Sequence, residues 1–184
     1  MPRPARSRAG PAVTVLRIGH RPGRDPRLTT HLALAARALG AERMLLHPPD
    51  PALAERLAAL TRRWGGKFLV EGVADWRSAV RARPGEVVHL TMYGLPLDRL
   101  LPRLLARPRL LVVVGGAKVP SELYGLADWN LAVGSQPHSE VAALAVLLDR
   151  LGGVPGPGAW PGATDVIVPR AHGKAVRGRG GRPR

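Results

Sequence analysis

The chain has 184 residues, 45% of them hydrophobic and 22% charged, the balance of one globular domain rather than of a disordered segment. Its formal net charge of +15 draws it to polyanions whatever else it does. The sequence contains no cysteine, which excludes a disulfide framework, a thiolate zinc site, a cysteine nucleophile and the zinc-dependent deaminases.

No apolar run reaches the roughly 18–20 residues of a membrane span. The N-terminal charges are not followed by the apolar stretch of a secretory signal, so a cytoplasmic protein is expected. Aromatic residues make up only 4%; contacts to the backbone and shape of a polyanion, rather than a base-stacking platform, are expected.

Residues 1–11 are rich in Pro, Arg, Ala and Gly and read as a flexible basic arm. A domain over 12–176 follows, built from short apolar runs at 13–18, 42–46, 67–71, 86–91, 109–114 and 129–133, the pattern of buried parallel strands. Helical patterns lie between them. Thr29 or Thr30 is expected to cap a helix ending at Gly40, and Asp50-Pro51 to cap and open the next. Asp75 opens a short helix, Pro102 starts, kinks or interrupts whatever helix follows Gly94, Pro120 opens another, and 138–151 forms the last. The Gly/Pro-rich stretch 152–162 is irregular. It leads to the apolar piece 166–168 and to a basic tail, 177–184, expected to be disordered. The fold class is therefore α/β, a mostly parallel sheet with helices on both faces.

Open α/β sheets bind ligands at the carboxyl ends of their strands. The loop after the first strand, GHRPGRD, has neither the GxGxxG of a dinucleotide site nor the GxxxxGK[ST] of a phosphate-binding loop. Glycines cluster later, in Gly115-Gly116-Ala117-Lys118-Val119-Pro120 and in Gly134-Ser135-Gln136-Pro137-His138-Ser139-Glu140. These turns, with HLTMYG at 89–94, are expected to form one pocket into which a ligand can approach the backbone. No histidine pair has metal-ligand support, so no metal site is expected.

The strings LRIGHRPGRDPRLTTHLALAARALGA, HLTMYG, VVVGGAKVP and LAVGSQPHSEVAALAVLL, in this order, closely resemble the archaeal tRNA (cytidine(56)-2′-O)-methyltransferases of the SPOUT class. The resemblance implies a fold whose C-terminal segment is threaded as a trefoil knot, with the knotted cofactor site in about 86–151. Topology rules alone argue against such threading. It further implies a homodimer, S-adenosylmethionine as methyl donor and, as acceptor, the ribose 2′-hydroxyl of a cytidine in the tRNA T-loop. Leu90, Gly115 to Val119 and Val133 to Glu140 would then line the donor pocket. Leu90, Val119 and Val133 could sandwich the adenine. Glu140 balances charge near the sulfonium or simply starts the final helix; His138 orients the cofactor loop or caps that helix.

His31 and Arg37 resemble the asparagine and arginine that related ribose methyltransferases place six residues apart. Arg37 is the first choice for the acceptor side, with Arg24 beside it. An arginine is too basic to serve as a general base, so its expected role is to position and polarise the hydroxyl and a neighbouring phosphate. Arg21, Arg24 and Arg27 are expected to grip RNA phosphates, with His20 beside them. Two competing readings remain: a non-catalytic basic RNA-binding protein, and a SPOUT enzyme with another RNA target.

Overall fold

A computed structural model describes residues 10–178 except 25, 84, 117, 153–154 and 157–159. Most of the basic arm, the end of the basic tail and Ala117 thus lie outside the described residues. The elements run β1 (Ala12–Arg17), α1 (Pro26–Ala38), β2 (Arg43–Leu46), α2 (Pro51–Trp64), β3 (Leu69–Gly72), α3 (Trp76–Arg81), β4 (Glu86–Pro96), α4 (Leu97–Leu105), β5 (Arg109–Val114), α5 (Leu123–Leu126), β6 (Trp129–Ala132) and α6 (Glu140–Arg150). A small hairpin, β7 (Asp165–Ile167) and β8 (Val176–Gly178), closes the chain.

Six strands form one sheet in the order β3-β2-β1-β5-β4-β6, and every pairing in it is parallel. Strands buried on both faces must be apolar at odd and even positions alike, which is why β5 reads as an unbroken run. Its side chains alternate between two cores. Leu110, Val112 and Val114 join Leu32, Leu53, Leu100 and Leu144 from α1, α2, α4 and α6, whereas Leu111 and Val113 join Trp76, Val80 and Leu123 from α3 and α5.

The helix starts follow local chemistry. Asp50 accepts the Leu53 N–H at 2.9 Å and Pro51 fills the first helical position of α2; Asp75 accepts two amides of α3, and the Ser139 hydroxyl accepts the Val141 N–H of α6. Five expected boundaries are revised. The first helix begins at Pro26, so Thr29 and Thr30 lie inside it, and Thr29 is fully buried. The helix expected from Pro120 begins at Leu123, and the last spans Glu140–Arg150 rather than 138–151. Residues 89–94 belong to β4, which continues to Pro96. Val176–Gly178 pairs with Asp165–Ile167, so regular structure reaches the residues assigned to the tail.

Strand order reverses between β1 and β5: the chain runs outward from β1 to β2 and β3, then returns to build β4, β5 and β6 on the other side. The crevice at such a switch point, outside the carboxyl ends of the strands, is where an open sheet holds its ligand.

Candidate functional site

A cavity of about 440 Å³ opens at that crevice, within the usual size range of small-molecule sites. The ends of β1, β4, β5 and β6 supply its floor through Arg17, Leu90, Val114 and Leu131, with Val133 just beyond β6. Gly115, Gly116 and Val119 form one wall, and Gln136, Pro137, His138 and Glu140 another. A Cβ on Gly115 would run into Cγ2 of Val119, so only glycine leaves this wall its shape. Gly134 has φ +148 and carries the chain toward His138, whose Nδ1–H donates to the Ser139 carbonyl at 3.1 Å. Of the other residues expected here, Lys118, Gly134, Ser135 and Ser139 are exposed and do not line the cavity.

Arg17 is 1% exposed although it lies at the end of a core strand. Its Nη1 donates to the Gly115 carbonyl at 2.6 Å and lies 3.3 Å from Oε1 of Glu140. One guanidinium therefore joins the glycine wall to the start of α6. A buried arginine is retained only where charge-assisted bonds offset its desolvation, and Nε has no hydrogen-bond partner among the described residues. Arg17 is masked in the sequence by the apolar run around it; its one signal there is a charge at the carboxyl end of a buried strand.

The β4 segment shapes the remaining rim. Leu90 and Leu95 both register with Leu131 of β6, so residues 91–94 loop out of the ladder in the manner of a large bulge. Thr91, Met92 and Tyr93 consequently border the cavity, and Tyr93 is 74% exposed. Gly94 permits the excursion, because a Cβ there would collide with the backbone of Asn130 and Leu131.

Beneath the loop, His89 is fully buried, its ring edge-on to Tyr124. Asn130 donates its amide to the Tyr124 carbonyl and so presents Oδ1 to His89 Nδ1 at 2.9 Å. That fixes the proton on Nδ1 and leaves Nε2 an acceptor with no partner among the described residues. Burial lowers the His89 pKa below its ordinary value.

The arginine loop lies at the opposite rim. Arg21 borders the cavity, and Arg21, Arg24 and Arg27 are exposed. The Arg24 N–H donates to the Arg21 carbonyl at 3.0 Å, closing a four-residue turn with Pro22 at its second position. His20, expected to touch RNA, is instead 2% exposed and bonded to Thr29 and Asp50.

Arg37, the first choice for the acceptor side, lies away from this cavity. It lies in the last turn of α1, about 16 Å along the helix from Pro26 at the ~1.5 Å rise per residue, and so at the opposite end of the sheet from the cavity. Its Nη2 donates to the Gly65 carbonyl at 2.6 Å, its guanidinium stacks 4.6 Å from the Trp160 ring centroid, and the residue is buried. Burial lowers its pKa. Arg37 ties the end of α2 to the C-terminal segment and does not face the cavity, while His31 is exposed on α1. No group of three or more His, Asp or Glu residues is placed to hold a metal among the described residues.

Residues 64–177 match the family described as tRNA ribose 2′-O-methyltransferase, aTrm56. A tRNA (cytidine(56)-2′-O)-methyltransferase from Methanothrix thermoacetophila is 47% identical over 171 residues, 91% of this chain and 98% of the relative. One from Pyrococcus horikoshii is 47% identical over 172 residues, 89% of this chain and 84% of the relative. Among solved structures, an rRNA methyltransferase from Sinorhizobium meliloti superposes with TM-score 0.57 at 18% identity, over 80% of this chain and 58% of that one. The SpoU methyltransferase AviRb from Streptomyces viridochromogenes, solved in complex with AdoMet, does so with TM-score 0.54 at 15% identity, over 80% and 58%. The fold is that of the SPOUT methyltransferases.

Proposed function

The chain belongs to the family of tRNA ribose 2′-O-methyltransferases, and from that premise we propose that it carries a methyl group from S-adenosylmethionine to the ribose 2′-hydroxyl of cytidine 56 in the tRNA T-loop. The observation that carries this reading is the glycine-walled cavity at the switch point, pinned by Arg17 and bordered by Arg21.

The residues fit a nucleoside-bearing donor. Leu90, Val119 and Val133 offer apolar sides for a flat base, and the space kept open by Gly115 lets a ligand reach backbone groups. Gly115, Gly116, Gln136, Pro137, His138 and Glu140 would hold the donor, whereas Lys118, Gly134, Ser135 and Ser139 lie outside the cavity lining and would shape its turns. Ala117 belongs to the same turn but lies outside the described residues. When bound, the donor supplies a sulfonium methyl group open to in-line displacement, chemistry that needs no metal ligand from the protein.

The chain's own contribution is alignment and charge. Glu140, 30% exposed and held by Arg17, places negative charge at the cavity beside a cationic ligand. Arg21 and Arg27 take RNA phosphates at the rim. Arg24, on the same turn, is the acceptor-side residue: it polarises the 2′-hydroxyl and holds a phosphate whose oxygen receives the proton as the new O–CH₃ bond forms. A pocket that aligns the two reactants supplies most of what this reaction requires.

The same reading includes a homodimer, cytoplasmic action on tRNA, and threading of the chain after β5 as a trefoil knot. The strand order β1-β5-β4-β6 supports the last. Exposed Leu95 and Val146 supply apolar surface a second copy could cover.

The test is calorimetric titration with S-adenosylmethionine, followed by methylation of an unmodified tRNA transcript without added metal and mass-spectrometric mapping of the product. One methylated ribose at position 56 is expected, and Gly115→Ala should lose cofactor binding because its Cβ displaces Val119. Tight tRNA binding with no cofactor binding would instead identify a non-catalytic RNA-binding protein; a methyl group at another nucleotide would identify a different target.

A further inference from the structure

His20 is the one buried histidine of the arginine loop, and both of its ring nitrogens are engaged. Nε2 lies 3.1 Å from Oδ2 of Asp50, and Nδ1 lies 2.8 Å from the hydroxyl of Thr29. The carboxylate has no proton to give, so Nε2–H donates to Asp50 and, in the neutral ring, Nδ1 accepts from Thr29. Asp50 is itself fixed, since its other oxygen accepts the Leu53 N–H and caps α2. These bonds hold its carboxyl below the ordinary range.

The His20 backbone is anchored too, its N–H donating to the His47 carbonyl at 3.1 Å. The ring therefore joins the first residue of the 20–29 segment to its last, and both to the N-terminus of α2. Arg21, Arg24 and Arg27 all lie between those anchors.

We propose that Asp50, His20 and Thr29 form a positioning relay that fixes the arginine loop at the cavity rim, so that tRNA meets its cations already in place. The inference rests on the reading that this loop grips the acceptor RNA. Arg21 and Arg24 on a free loop would lose ordering entropy each time they bound phosphates. A loop closed by buried hydrogen bonds has met that cost on folding. Exposed alternatives could not do this: a surface bond is exchanged with water, whereas His20 and Thr29 are 2% and 0% exposed.

Thr29→Val tests the relay, because it removes the hydroxyl while keeping the side chain's shape. With one buried hydrogen bond lost, KM for tRNA should rise about tenfold, with kcat within about threefold and cofactor Kd within about twofold of the wild type. Thr29→Ser should restore KM. In an Arg21→Ala/Arg24→Ala background, where the loss of Arg24 removes turnover, Thr29→Val should raise the tRNA Kd measured by direct binding by less than about twofold, because the loop cations it positions are gone. Amide exchange over 20–29, which requires no turnover, should quicken about tenfold in Thr29→Val.

An unchanged KM with unchanged exchange overturns the relay, as does a Thr29→Val loss that stays full-sized without the arginines. Loosened exchange in a protein whose wild type methylates no tRNA would sink the functional reading and leave the loop anchor standing.

Discussion

Arg17→Met removes the guanidinium that spans the cavity floor while keeping a long apolar stem in the core. The substitution takes a charge-assisted bond of 2.6 Å from the Gly115 carbonyl and leaves that buried oxygen unpaired, a loss of about 1.5–3 kcal/mol. It also breaks the 3.3 Å contact with Glu140, but that side chain is 30% exposed and water takes up much of the difference. Relief of the unpartnered Nε offsets part of the cost. The net destabilisation is about 2 kcal/mol, which lowers Tm by about 4–8 °C for a domain of this size.

The functional loss comes from the freed walls. With Gly115 and Glu140 no longer joined, cofactor Kd should rise about ten- to hundredfold, the equivalent of that one bond. Urea unfolding gives the stability and calorimetry with S-adenosylmethionine gives the Kd. A variant that is destabilised yet binds the cofactor with wild-type affinity would show that Arg17 supports the fold and not the pocket.

Two further outcomes follow from buried groups. Arg37→Met should lower stability by about 2 kcal/mol, through loss of the bond to Gly65 and the stacking on Trp160, yet keep kcat within about twofold; a folded variant with little turnover would restore Arg37 to the catalytic centre. His89 has a folded-state pKa below its ordinary 6.5, so below pH 6.5 the unfolded chain binds more protons than the native one. Its contribution to stability is complete above about pH 6.5 and declines as pH falls from there to the folded-state pKa. Urea midpoints taken across that range should slope downward toward acid in the wild type and less so in His89→Gln; parallel profiles would refute the assignment.

Much of the site could be read along the chain because its determinants are local. The apolar runs of β1 and β5, the Asp50-Pro51 and Asp75 caps and the glycines at 115 and 116 each follow from short-range sterics and hydrogen bonding, and strand ends then place the cavity by a general rule. Which arginine serves which end of the molecule is not a local property. Arg17 and Arg37 both lie in apolar surroundings, but a parallel strand delivers Arg17 to the crevice while the return of α1 carries Arg37 to the opposite end of the sheet. Likewise His20 looked like an RNA contact beside arginines until the N-terminus of α2 brought Asp50 within 3.1 Å. Composition and spacing determined the layers, the cationic character and the glycine turns. Only the packed chain decided which charges are buried, because burial depends on what a distant segment lays over them.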